Sequence, residues 1–531
     1  MKIAGVLLAL LIVAGARPQE RAKPPDLAAA IDKALEARWK RDLKGDPAPV
    51  SEDSEFLRRL SLDLRGHPPA LPEVRSFLAD ESESKRLAKI DEYLASPAYA
   101  RLMARRLASI LFNDYDRIPI YPGKNFNGQT TRRMIGEFLA ALEERVAKDV
   151  AVPNLLKELL EAQGRTDQNP LVLYKLSMWN GDMPAFEFAD RISKTWLGIR
   201  VSCARCHDHP FDRWTQEDFY GLSGFFTRHK VKCLEKGGTP AMGNDCDEVE
   251  VYEDAKSQEL TNPDSGGILK PTFLGGGTVG SHDPRMTALA GFLTAKSQNQ
   301  LARNFANRTW EWLMGRAIVH PADDFNQKNK ASIQELLDKI TVGFSSNRYS
   351  MKQLVRAICA SKGYQRASAR TETGDVKDFA RAQLRPLTAE QLFLSVAMAA
   401  RGGDAAPDRK QAPYPAWWGW YSGQIDLVFG PGVGWTEVSP LPGNARQMLL
   451  VRNGEIFQAM IRMPGGTATE AQKAEAAADR VEYVYLAVYG RKPAGSELSR
   501  WAGWLEKKKG GSGIHDMIWT LVNSTEFLTR H

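Results

Sequence analysis

Cysteine is scarce in this chain: five in 531 residues, beside eight histidines. Small disulfide-built scaffolds carry a far denser set, so cross-links are not what holds this chain together. Long apolar runs are also missing. Beyond the first sixteen residues no stretch of eighteen or more apolar residues occurs, so nothing further on has the length to span a bilayer. Excess charge is lacking too, since the formal net charge of +7 is small for this length. No basic run with interleaved aromatics appears, and nucleic acid is therefore not an expected partner. Gly275-Gly276-Gly277 has no P-loop lysine and no helix pattern after it, which excludes a phosphate cradle there.

What is present begins with MKIAGVLLALLIVAGA over residues 1–16. A lysine, an unbroken apolar run and the small-x-small Ala14-Gly15-Ala16 read as a Sec signal peptide cut after Ala16. No cysteine follows that cut, so no lipid anchor is expected. The mature chain is expected to be periplasmic or secreted, with no transmembrane segment and a net charge reduced to +6 by the loss of one lysine.

The most specific motif is Cys203-Ala204-Arg205-Cys206-His207. In C-x-x-C-H, two thiols three residues apart reach the two vinyl groups of one porphyrin, and the next histidine lies under the iron. The expected cofactor is haem c, with Cys203 and Cys206 as thioether anchors and His207 as proximal ligand. Two other chemistries use the same residues. A zinc or non-haem iron site would take Cys203, Cys206 and either His207 or His209. A plain disulfide between the two cysteines needs no cofactor at all. His209 stands two residues from His207, too near to reach the opposite porphyrin face. His229 is the first candidate for a distal ligand, ahead of His282, Met242 and Met286; with none of them bound, the iron is five-coordinate. Cys233 and Cys246 are expected to pair across a Gly-rich loop, leaving Cys359 as a buried core thiol.

The expected fold is mainly α: two helical domains joined by a Gly/Pro-rich linker with a small β element. After the polar leader 17–25, the first helical domain covers 26–229 and contains the C-x-x-C-H. Leu27, Ile31, Leu35 and Trp39 form an amphipathic stripe, and Phe188, Ile192, Trp196 and Ile199 repeat it just before the motif. The motif thus falls at or just past a helix end, unlike a thioredoxin-type C-x-x-C that opens a helix. The linker is 230–285, with Glu248–Tyr252 as its strand. The second helical domain is 286–531, interrupted by a Trp-rich loop at 402–445.

An echo links the two halves. Leu62-x3-Gly66-x2-Pro69-x3-Glu73 matches Leu486-x3-Gly490-x2-Pro493-x3-Glu497, a helix stopped by glycine and a second helix with an acid in its first turn. S-x-x-aromatic follows at Ser96, Ser361 and Ser524, with Leu94, Cys359 and Val522 in one aliphatic slot. Duplication and a common hairpin both account for this. Asp208 and Asp212 flank the two histidines and could hydrogen-bond His207 or His209; the favoured expectation is that they form a turn in which Asp212 caps the helix after the motif, and Asp323-Asp324 cap a short helix of their own.

Three stretches resemble a known family. SCARCHDHPFDRWTQEDFYGLSGFF (202–226), EFLRRLSLDLRGHPPALPEVRSFLAD (55–80) and NRTWEWLMGRAIVHPADDFNQKN (307–329) look like the planctomycete-type secreted cytochrome-like proteins. These pair the domains of unknown function fifteen-forty-nine and fifteen-fifty-three, and RPLTAEQLFLSVAMA (385–399) is similar to a later helix of the second. The resemblance implies secretion and a cytochrome-like label, without a reaction. Many relatives carry His-Pro where this chain reads Asn262-Pro263, so no ligand role transfers there. The resulting expectation is a redox or electron-transfer protein with an unidentified redox partner. Its rivals are a glycan-processing enzyme, using the aromatic loop with Asp323 or Asp324 on extracellular polysaccharide, and a binding scaffold with a structural C-x-x-C-H.

Overall fold

The computed structural model describes residues 26–112, 128–179, 184–235, 246–262, 266–280, 282–295, 299–368, 376–401, 452–508 and 512–530. The expected signal peptide, the polar leader, Met242 and the Trp-rich loop lie outside them. The described chain is mainly α-helical with a small sheet, as its apolar periodicity requires. Leu27, Ile31, Leu35 and Trp39 are all buried along the helix Leu27–Asp42. Asp26 caps it by accepting from the Ala28 amide at 3.1 Å.

The sheet has three antiparallel strands in the order β1 (Gly164–Arg165), β3 (Glu248–Glu253), β2 (His229–Leu234). His229 stands opposite Glu253, and Cys233 opposite Val249. A disulfide joins Cys233 to Cys246, with their Cα atoms 5.6 Å apart. Cys359 is a free, fully buried thiol.

Packing does not divide where composition changes. Val231, Val249, Val251, Phe273, Leu274 and Val279 of the Gly/Pro-rich stretch belong to the same large core as Leu27 and Ile358. The described residues of 230–285 are therefore built into that core. Glycine and proline shape the turns there, while alternate strand residues point inward. The second core starts at Leu387, runs to Phe527 and includes Leu62.

The helix Asp53–Arg65 lies between the two cores. Phe56, Leu57, Leu60 and Leu64 face the first and Leu62 the second. Asp63 on this helix accepts from Arg530 Nε at 3.0 Å and from the Tyr364 hydroxyl at 2.8 Å, with Arg385 at 3.4 Å. Arg385 and Arg530 come from the two-stranded ladder of β4 (Arg385–Pro386) and β5 (Thr529–Arg530). Burial pushes the Asp63 pKa upward, but the Arg530 and Arg385 charges outweigh it and hold the carboxyl below its ordinary value.

Candidate functional site

The chain reaches the C-x-x-C-H through a helix that is closed abruptly. Phe188 and Ile192 are buried on the helix Pro184–Ile192, and Trp196 on the π-helical turn Ser193–Leu197 that continues it. Trp196 donates from Nε1 to the Tyr174 hydroxyl at 2.8 Å. Gly198 ends the turn at φ +66°. A side chain there would meet Asn304 Oδ1 at 2.6 Å and Phe325 at 2.8 Å, so glycine is required by both conformation and space. Asn304 Nδ2 donates to the Thr195 carbonyl at 2.7 Å, and the Phe325 amide to the Gly198 carbonyl at 2.8 Å. The approach to the motif is thereby fastened to the helix Gln300–Met314.

The motif itself lies on a single 3-10 turn, Ser202–Arg205, with Cys206 at its end. Ala204 is buried and anchors the turn, while Cys203 and Cys206 are exposed free thiols. Arg205 stretches over the Phe186 ring at 4.9 Å. Asp190, which hydrogen-bonds Ser202, has a pKa raised by burial against the opposing effects of Ser202 and Lys194.

The two histidines are held in opposite senses. His207 Nδ1 lies 2.7 Å from the Asp208 carbonyl oxygen. A carbonyl only accepts, so Nδ1 carries the proton and Nε2 of the neutral ring carries the lone pair. His209 Nδ1 instead accepts the Phe211 amide at 3.2 Å, so its neutral ring has the proton on Nε2. Of the two, His207 is the ring prepared to ligate through Nε2. Among the described residues no three His, Cys, Asp or Glu side chains form a group able to hold a metal ion.

The other sequence candidates lie elsewhere. His229 is 2 % exposed and packs on Phe188 and Phe226, with ring centroids at 5.3 and 6.0 Å. Burial first, then the Lys175 and Arg285 charges, push its pKa well below the ordinary value. An imidazole shut into the core is not presented to the surface on which the motif lies. Met286 is buried as well, and His282 is exposed.

Asp212 does not cap the following helix. Thr215 does, in a reciprocal capping box with Asp218, while Asp212 accepts the Arg213 amide at 2.8 Å. Asp323 caps no helix either. It pairs with Arg200 at 2.7 Å and Lys194 at 3.5 Å. Burial raises its pKa, but Arg200, Lys194 and Arg308 together bring it below the ordinary carboxylate range. That tie keeps Asp323 ionised and engaged, which does not suit a general acid.

Sequence reading missed the link between Asp208 and Gln216. Asp208 Oδ1 accepts the Gln216 amide at 2.9 Å, and Gln216 Nε2 donates to the Arg205 carbonyl at 3.1 Å.

Two family models match the chain. Residues 30–231 match PSCyt2, described as a protein of unknown function (DUF1549), and residues 285–415 match PSD1, a protein of unknown function (DUF1553). No curated protein and no solved structure matches the chain.

Proposed function

We propose, on the premise that this chain belongs to the paired PSCyt2 and PSD1 families, that Cys203, Cys206 and His207 hold haem c in a redox or electron-transfer protein of the periplasm or cell exterior. The observation that carries the reading is the pairing of two exposed free thiols on one turn with a histidine whose Nδ1–H is engaged, which leaves the lone pair of the neutral ring on Nε2. The residue chemistry fits the group. Haem c needs the thiols at its periphery and the imidazole at its iron, so the three side chains need not converge on one point. A zinc or non-haem iron ion would need them to converge. When bound, haem supplies one-electron chemistry at iron. The protein's own part is to present two sulfurs, keep His207 in the ligating tautomer and anchor the turn through buried Ala204.

Export supports the same reading, because the first sixteen residues have the pattern of a Sec signal and haem c is attached on the outer side of the membrane. The test is expression in a periplasm with cytochrome c maturation machinery. Intact mass should rise by one haem, a Soret band should appear, and the pigment should survive acid-acetone extraction. Cys206→Ser should abolish attachment through two bonds. Protein from that host with no haem mass added would refute the reading and leave the disulfide or non-haem metal alternatives.

A further inference from the structure

We infer that Asp208 is a positioning residue for His207: its carboxylate, fixed by the Gln216 amide, holds its own carbonyl against His207 Nδ1–H and so sets the ring's tautomer and orientation. This rests on the haem reading above for its role in the cell, though its geometry stands independently.

The chain of contacts is short. The Gln216 amide, at the first residue of the helix Gln216–Gly224, donates to Asp208 Oδ1 at 2.9 Å. It is one of the helix's orphan N–H groups, and a carboxylate is its best acceptor. The reciprocal box of Thr215 with Asp218 fixes this end of the helix, with Thr215 Oγ1 accepting the Asp218 amide at 3.1 Å. From there Asp208 is pinned by its side chain, and its carbonyl lies 2.7 Å from His207 Nδ1. The Gln216 side chain reaches back to the Arg205 carbonyl at 3.1 Å, bracing the 3-10 turn that carries both cysteines. His207 is exposed. Without such a tie an exposed imidazole turns freely and samples both tautomers. A hydrogen bond that orients a ligand's second nitrogen also tunes its basicity, and its loss typically costs about 10–100-fold in metal affinity.

The position of Gln216 offers a selective probe. It is the first helical residue, where proline is favoured, and Thr215 before it is extended, as a residue before proline must be. Gln216→Pro therefore removes the N–H while suiting the helix, and Gln216→Ala keeps it. Asp208→Ala removes the acceptor, whereas Asp208→Asn keeps an acceptor oxygen. Both Asp208 variants lose the charge, so their difference reports the hydrogen bond alone.

The experiment reads the His207 tautomer by long-range proton–nitrogen NMR on the reduced, haem-free full chain, at a pH where the ring is neutral. The wild type, Asp208→Asn and Gln216→Ala should hold the Nδ1–H form. Asp208→Ala and Gln216→Pro should lose it towards the Nε2–H form. In haem-loaded protein, the latter two should shift the midpoint potential away from the other three. A wild-type ring with its proton on Nε2, or five proteins with one tautomer and one potential, overturns the inference. If no haem attaches, the haem reading fails while the NMR result still decides this one. If haem attaches and the tautomers do not respond, this inference alone fails.

Discussion

Lys175 shows at the residue scale how a buried charge shapes stability. It is 2 % exposed, and its Nζ has no hydrogen-bond partner among the described residues. Burial pulls its pKa down to about 8, against weak support from Glu253 and Glu161. The folded value lies below the ordinary 10.5, so between those two pH values the unfolded chain holds a proton that the folded chain has released. Stability therefore rises with pH across that window, and the full penalty, about 3 kcal/mol, is present below pH 8. Lys175→Met should be more stable than wild type at pH 7 and should lose the rise between pH 8 and 10.5, as measured by urea unfolding across pH. Equal midpoints at pH 7 would show that the ammonium is satisfied. Legibility at this scale follows locality. Cys359 was readable because Leu94 and Val522 fill its slot in the echo, and all three are buried. Asp208 was readable as a neighbour able to hydrogen-bond His207, but its tie to Gln216 was not, because that depends on where a turn brings an amide eight residues away.

At the scale of elements, the sequence echo is an echo of interactions. Gly66 and Gly490 both end helices in the left-handed region, at φ +80° and +72°, and return their amides to Leu62 and Leu486. Beside each glycine an arginine pairs with the echoed acid: Arg65, just before Gly66, with Glu73, and Arg491, just after Gly490, with Glu497, both at 2.8 Å. Each arginine also lies over a tyrosine, Tyr93 or Tyr485. Gly490 faces Val74 and Pro69 of the first hairpin, so the two units abut. Helix ends marked by glycine were legible since only glycine adopts that conformation without strain. The caps were harder. Asp212 and Thr215 are both good cap residues three apart, and the T-x-x-D pattern of Thr215 and Asp218 was the signal that distinguished them. Asp323 turns to Arg200, 123 positions away, which no local pattern announces. Gly198 joins both kinds of constraint. Gly198→Ala should cost at least about 2 kcal/mol, from the left-handed backbone and from displacement of Asn304 and Phe325. Guanidinium unfolding measures it, and a variant within about 0.5 kcal/mol of wild type would mean that the helix end yields without cost.

For the whole molecule, mainly α architecture and the strand at 248–253 were legible from periodicity, while the joining of the parts was not. Composition suggested a linker at 230–285, and its described residues pack into the first core; the two cores meet along the helix Asp53–Arg65 and again at the helix Ala477–Tyr489, whose Leu486 lies in the first and Val484 in the second. Nothing in DSEFLRRLSLDLR separates the face that meets the first core from the one that meets the second, because nearly the whole helix is buried. The charges on it carry the connection. Arg58 donates to the Phe527 carbonyl at 3.0 Å, Arg59 to the Tyr364 carbonyl at 2.6 Å, and Asp63 gathers Arg385 and Arg530. One carboxylate therefore pairs with two buried guanidinium groups of the β4–β5 ladder while accepting from Tyr364 of the first core. Its pKa is held below the ordinary 3.8, so the cluster is intact at neutral pH and dissolves only as pH falls below that value. Removing one partner of a buried pair leaves the other charge stranded, at about 3–5 kcal/mol. Asp63→Ala should lose about that much, and its calorimetric melt should resolve into two transitions where wild type shows one. The loss should shrink in Asp63→Ala/Arg530→Met, since the stranded cation is then gone; a double-mutant cycle isolates that coupling. A wild type that already melts in two steps, or an Asp63→Ala melt with one unshifted transition, would show that apolar packing of the helix between the cores joins them without the ion cluster.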